Sequence, residues 1–262
     1  MDYSRISFDR TVAEAIDNYE AWRRPSADNR RYLARLKEWF GSTPLRHVGQ
    51  EEIDRSAREL YPDGSPATWN RQIYTPIIAV MNHEGLQVRF RRPRRSKPQT
   101  RHVSKQTAEL LIARADDADL AALLEFLFFT GARISEALSL TPDCVDLSNR
   151  RVRLHVRKRN VAVWRPLHDR AVHALESLPK RPDRVFRWRS RFGPENALLR
   201  LRKETGIYFT FHMARHSFAT WLAEKDVGLR DIMDAGGWST MKSVIRYVAP
   251  SEARVRRAID RL

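Results

Sequence analysis

His212, Arg215 and His216 fall three and four positions apart, so any helix over residues 210–222 places them on one face. Phe211, Ala214, Phe218, Trp221 and Leu222 lay an apolar stripe beside that face, and Thr210 is a suitable N-cap. Imidazole and guanidinium groups held side by side on a packed scaffold suit the gripping of an anion. The plainer alternative for this segment alone is a core helix with a surface His and Arg. His212 and His216 also have the i,i+4 spacing of a metal pair, but no Cys or suitably placed carboxylate completes a site, so no metal is expected. A second candidate lies in T-G-A-R-I-S-E-A-L-S-L, residues 130–140. Arg133 there emerges from an apolar neighbourhood and is partly desolvated. It therefore needs an anionic partner, either Glu136 or a bound phosphate.

In order and spacing these stretches, with G-G-W-S-T and S-V-I-R-Y downstream, resemble the tyrosine recombinase (phage integrase) family. The likeness spans nearly the whole chain, with its specific motifs between Leu127 and Tyr247. It implies that Arg133 is the first active-site arginine and Glu136 its helical companion. It makes His212 and Arg215 the family's H-x-x-R, with His216 following. Lys158 resembles the lysine carried on a β-hairpin, Trp238 stands where the family has His or Trp, and Tyr247 stands at the nucleophile. The turn Lys158-Arg159-Asn160 lacks the glycines usual at this place, so Arg157 and Arg159 stay open for the lysine's role.

These residue types suit displacement at a phosphodiester. Two arginines can clamp non-bridging oxygens with permanently charged donors, and His212 and Trp238 add further donors. Tyr247, a phenol of pKa about 10, needs activation at the phosphate, and Lys158 is the candidate general acid for the leaving 5′ oxygen. The product is a covalent 3′-phosphotyrosine, which conserves the bond's energy, so no ATP or other cofactor is expected. The reading is a site-specific recombinase or integrase working through a Holliday junction. A type IB topoisomerase and a non-catalytic DNA-binding protein on the same scaffold are the alternatives.

Composition fits a polyanionic partner. Lys plus Arg number 48 against 32 Asp plus Glu over 262 residues, a net charge of +16, which points to double-stranded DNA. The resemblance adds a homo-oligomer on DNA, a tetramer in the synapse, and admits accessory DNA-bending proteins. The lone Cys144 excludes an internal disulfide framework. No apolar run reaches the length of a membrane span, and residues 1–10 lack a signal-peptide core. A cytoplasmic protein of bacterial or phage origin, nucleoid-associated when bound, is expected.

The elements that must position these residues are mainly helical. Residues 1–88 predict four short helices, with Pro76 kinking or breaking the fourth. They resemble a small N-terminal core-DNA-binding domain. Residues 89–102 carry Arg89, Arg91, Arg92, Arg94, Arg95, Lys97 and Arg101 with two prolines and no acid, which predicts an extended linker laid across DNA phosphates. Residues 103–262 predict an α+β catalytic domain. It has an apolar helix at 119–129, a small antiparallel sheet with strands near 151–157 and 161–166, and a last helix capped by Ser239 through Tyr247. Residues 251–262 predict an amphipathic helix docking on a neighbouring protomer or on its own domain.

Overall fold

Side-chain caps begin most helices where the sequence offers them. Thr11 opens α1 (Val12–Arg23) in a capping box with Glu14, and Ser26 opens α2 (Ala27–Phe40). Helix α3 (Gln50–Leu60) follows, and Ser65 caps α4 (Pro66–Trp69). The chain then widens into a π turn over Asn70–Tyr74 before α5 (Thr75–His83). This is how the fold accommodates Pro76. A proline has no N–H for the preceding turn, and the wide turn lets the Thr75 N–H and hydroxyl both donate to the Asn70 carbonyl. Ile16, Leu33, Leu36, Phe40, Ile53, Ile77 and Val80 form the core of this unit.

The computed structural model describes residues 9–94, 101–156, 161–248, 256 and 259–260. The chain divides into two units, Met1–Pro98 and Gln99–Leu262. After α5 the described residues 86–94 carry no regular secondary structure, and they are fastened to the first unit. The Arg91 N–H donates to Gln50 Oε1 at 2.7 Å, Gln50 Nε2 donates to the Arg91 carbonyl at 3.1 Å, and Asn70 Nδ2 donates to the Pro93 carbonyl at 2.9 Å. Two amide side chains thus satisfy a backbone that has no ladder of its own, while Arg89, Arg91, Arg92 and Arg94 stay exposed. Arg95 and Lys97 lie outside the described residues. Arg101, in the second unit, is exposed with its Cζ 5.8 Å from the Tyr208 ring centroid.

The second unit opens with α6 (Lys105–Ala113), capped by Ser104, and α7 (Ala118–Thr130), capped by Asp117. Helix α7 is apolar over most of its surface, which suits a helix surrounded by others, and Leu120, Leu123, Leu124, Phe126, Leu127 and Phe128 are all fully buried. One turn of helix, α8 (Ile134–Ala137), leads to a three-stranded antiparallel sheet of β1 (Val145–Asp146), β2 (Arg151–Val156) and β3 (Val161–Pro166). Its register sets Val152 opposite Arg165 and Leu154 opposite Val163. Helices α9 (Asp169–Glu176), α10 (Phe192–Thr205), α11 (Phe211–Glu224), α12 (Leu229–Gly236) and α13 (Met241–Val244) complete the unit. The protein is mainly α with a small antiparallel sheet, as the sequence predicts. Among the described residues no helix is long and apolar enough to cross a membrane.

The final segment differs in detail from the continuous helix capped by Ser239. The cap position is Thr240, and after Val244 the chain tightens into a 3-10 turn over Ile245–Tyr247. The tighter turn lets Val244 and Tyr247 both join a small core with Ala219, Ala223 and Ile232. Tyr247 is thereby packed against α11. Of residues 251–262, only Arg256, Ile259 and Asp260 are among the described residues, so the terminal helix lies outside them.

Candidate active site

Arg215 lies one turn into α11, whose first N–H groups are capped by Thr210, and it is 1% exposed. A guanidinium so buried needs partners. Its Nη1 donates to the carbonyl of Gly131 at 2.5 Å and to that of Gly236 at 2.7 Å. These carbonyls end α7 and α12, where a helix concentrates partial negative charge. Both positions demand glycine. At Gly131, φ is +62° and a Cβ would stand 2.4 Å from Phe218 Cδ1; at Gly236 a Cβ would stand 1.7 Å from Trp238 Cζ3. The Trp238 ring therefore sits against the Gly236 turn, and the Arg215 Cζ lies 3.8 Å from its centroid, within cation–π range. Burial, then the charge of Arg133, pushes the Arg215 pKa down to about 9, which leaves it a cation at neutral pH. Arg215 Nη2 is buried without a hydrogen-bond partner among the described residues.

Arg133 occupies the N-cap of α8. Glu136, 4% exposed, accepts from the Arg133 N–H at 2.9 Å and from its Nη1 at 2.7 Å. One carboxylate thus satisfies the helix start and aims the guanidinium, in the manner of a capping box. The Arg133 side chain is still 44% exposed, so the rest of its fork is open to a ligand. Each arginine commits one arm to the protein, rather than presenting a fully free clamp.

His212 is exposed and His216 half-buried, and their rings meet edge to face with centroids 4.4 Å apart. Desolvation and the nearby charges of Arg215 and Arg133 hold the His212 pKa below its ordinary value. Burial, with His212 and Arg246 adding to it, pushes His216 down to about 4, so it is a neutral base at physiological pH. His216 Nδ1 is hydrogen-bonded to the Tyr247 hydroxyl. Tyr247 is 8% exposed, with its ring 5.4 Å from that of His216 and 6.0 Å from that of Trp238. Burial raises the Tyr247 pKa, while Arg246 and Arg215 draw it back. The phenol is protonated at rest, and in the His216 tautomer whose proton is on Nε2 it meets an acceptor at Nδ1.

The structure thus gathers Arg133, Glu136, His212, Arg215, His216, Trp238 and Tyr247 around one place. Lys158 and its neighbours Arg157, Arg159 and Asn160 lie outside the described residues. Among the described residues no three His, Cys, Asp or Glu side chains gather as metal ligands. Sequence reasoning did not single out Arg165. It projects from β3 on the face it shares with Val152, is 4% exposed, and lies against the Gly237 backbone. The available signal was a charged residue at an inward position of a strand whose alternation calls for an apolar one.

Residues 101–254 match the phage integrase family. Tyrosine recombinase XerC of Pseudomonas fluorescens is 34% identical over 159 residues, which cover 54% of this chain and about half, 53%, of that protein. Tyrosine recombinase XerD of Mycobacterium tuberculosis is 31% identical over an alignment of 287 positions, covering 92% of this chain and 89% of its own. In structure, the Tn1549 transposon integrase in complex with circular intermediate DNA superposes with a TM-score of 0.75 at 16% identity, over 95% of this chain and 99% of that one. A lambda integrase dimer bound to a COC′ core site does so with 0.73 at 18% identity, over 94% and 80%. At those identities the structural likeness speaks for the fold alone, and the family rests on the sequence matches. The chain belongs to the phage integrase family, with tyrosine recombinases among its relatives.

Proposed function

We propose that this protein is a site-specific DNA recombinase that breaks and rejoins duplex DNA through a covalent 3′-phosphotyrosine and a Holliday junction. The observation that carries the reading is the hydrogen bond of Tyr247 to neutral His216, beside an arginine held by two helix ends. The Tyr247 oxygen attacks the phosphorus, its proton passes to His216 Nδ1, and the bond to the 5′ oxygen breaks. Arg133 and Arg215 receive the charge that develops on the non-bridging oxygens, with His212 beside them. Trp238 holds Arg215 by its ring face. Lys158 gives the departing 5′ oxygen its proton. A 5′ hydroxyl of a partner strand then attacks the phosphotyrosine and regenerates Tyr247. The phosphate bond energy is kept throughout, so neither ATP nor a metal is required.

The proposed partners are double-stranded DNA and further copies of this chain, four in the synapse, with accessory DNA-bending proteins as an additional class. The first unit serves as a core-DNA-binding domain, the second as the catalytic domain, and residues 251–262 as the element exchanged between protomers. The protein acts in the cytoplasm, at the nucleoid. The test uses duplexes selected by binding from a random pool and nicked near the scissile phosphate. In EDTA and without nucleotide, the wild-type protein accumulates a covalent adduct that maps to Tyr247 and a 3′ phosphate. Tight, selective binding with no adduct at any nick position would make it a DNA-binding protein only. Relaxation of supercoils without strand exchange would favour the topoisomerase.

Two further results are expected. Arg91, Arg92, Arg94 and Arg95 changed together to Ala weaken binding to all sequences and lower the slope of log affinity against log salt, by up to about 0.9 for each phosphate that is no longer neutralised. Filter binding from low to moderate salt measures this, and an unchanged slope removes residues 89–102 from the DNA interface. The cleavage position stays put, because phosphate contacts carry little sequence information. Lys158→Ala slows cleavage of ordinary DNA by about 10²–10⁴. A 5′-phosphorothiolate at the scissile bond restores its rate, since sulfur departs without that proton. Selective rescue of Arg157→Ala or Arg159→Ala in its place would move the acid to that residue.

A further inference from the structure

Arg165 has no role in the proposed mechanism, yet its setting is unusual. It is 4% exposed, and neither Nη1 nor Nη2 has a hydrogen-bond partner among the described residues. Its guanidinium lies against the turn that carries Trp238: a Cβ built on Gly237 would stand 2.0 Å from Nη2 and 2.5 Å from Cζ. Arg165 thus reaches from β3 to the turn between α12 and α13. A buried guanidinium without a partner is costly to keep, and proteins normally pair it or replace it.

The surrounding charges show what it lacks. Its field reaches Glu136 and Arg133, and Arg215 feels it in turn. Glu136 is already held by the Arg133 N–H and Nη1. Arg215 has Nη1 on two carbonyls and Nη2 unpartnered among the described residues. Three guanidinium groups therefore stand around one carboxylate, an excess of two positive charges in a poorly solvated place. The arrangement is short of anionic charge, and a bound phosphodiester would offset one of the two surplus positive charges. Arg133, the only one of the three with an exposed side chain, marks where that oxyanion enters.

We propose that Arg165 is a positioning residue of the phosphate site: a third, buried guanidinium that adds to a surplus of positive charge, which is reduced when the scissile phosphodiester binds at Arg133 and Arg215. This rests on the reading that a phosphodiester occupies that place. In this proposal Arg165 makes no direct contact with the phosphate, because its guanidinium is turned against the Gly237 backbone. Its charge raises the site's attraction for an oxyanion, and binding in turn stabilises the contact between β3 and the Gly237 turn. Strand β3 and the turn carrying Trp238 are then held together when the anion is in place.

The test measures the melting temperature of the full chain in inorganic phosphate and in sodium chloride of equal ionic strength. Wild type melts higher in phosphate. Arg165→Met, which keeps an unbranched stem and removes the charge, loses more than half of that rise, while melting in chloride at or above the wild-type temperature. In single-turnover cleavage of a saturating nicked duplex, it is slower by about 10- to 100-fold, as is usual for residues that support a directly bound group. A full phosphate-dependent rise in Arg165→Met overturns the proposal, as does a wild-type protein with no such rise. If Arg165→Met does not fold, Arg165→Lys decides: it keeps the charge, so retention of at least half the rise supports the proposal and loss of the rise refutes it. The phosphate measurement needs no cleavage. A phosphate rise that depends on Arg165, in a protein that forms no adduct on any duplex, would leave the anion site standing and refute the recombinase reading.

Discussion

Tyr247→Phe binds its DNA site as tightly as wild type and forms no covalent adduct. The substitution deletes one oxygen and keeps the ring that packs with Val244 and Ile232, so neither the fold nor the DNA contacts elsewhere should change. The hydroxyl's one described partner is His216 Nδ1, and a half-buried imidazole that loses this bond keeps access to water. Electrophoresis under denaturing conditions reads the adduct, and gel shift reads the affinity. An adduct formed by Tyr247→Phe would remove Tyr247 as the nucleophile and move attention to Tyr208, which is 60% exposed. The companion substitution His216→Gln tests the proton acceptor. It slows cleavage by about 10²–10⁴, the usual contribution of a general base. In wild type the His216 pKa near 4 keeps the base neutral through the physiological range. In His216→Gln solvent must take the proton, so the rate should rise with pH towards the elevated Tyr247 pKa. A pH profile identical in shape to that of wild type would make His216 a packing residue.

The sequence made local features readable and left their meeting points hidden. The cap Thr210 is where the sequence predicts it, because a cap depends on a few consecutive residues. The i,i+3 pairing of Arg133 with Glu136 was legible for the same reason. Non-local contacts were not. Nothing in the neighbourhood of Arg215 announces that its Nη1 is received by the carbonyls of Gly131 and Gly236, 84 and 21 residues away. The bond of His216 to Tyr247 spans 31 residues and depends on a 3-10 turn that the periodicity does not distinguish from helix. Trp238 reads from sequence as an indole N–H donor, and the structure adds its ring face on Arg215. Arg165 stands near the end of a six-residue edge strand, where a charge is ordinary, and only the register with Val152 turns it inward.

Arg215→Lys keeps a positive charge at the centre of the site and still loses most activity, a drop in cleavage rate of about 10²–10³, the loss typical when one preorganised donor to developing charge is removed. A lysine ammonium can reach one or both of the Gly131 and Gly236 carbonyls with its three donors. It lacks the planar fork that lets Nη1 serve the protein while Nη2 stays available, and it gives up the flat stack on Trp238. Arg215→Ala goes further. It leaves two buried carbonyls without their donor, at about 1–3 kcal/mol each, and opens a cavity beside α7. Its reduced activity therefore mixes catalysis with folding. Arg215→Lys separates them, since its denaturant midpoint should move far less than that of Arg215→Ala while its rate falls nearly as much. DNA affinity should change little in either folded variant, because binding is spread over many phosphate contacts. If Arg215→Lys cleaves at the wild-type rate, Arg215 only ties α7 to α12, and the developing charge is met by Arg133 alone. If it cleaves slowly but a duplex with a methylphosphonate at the scissile position is cut equally well by both proteins, the missing interaction is with the phosphate's charge. That is the interaction expected of Arg215 Nη2, which has no hydrogen-bond partner among the described residues.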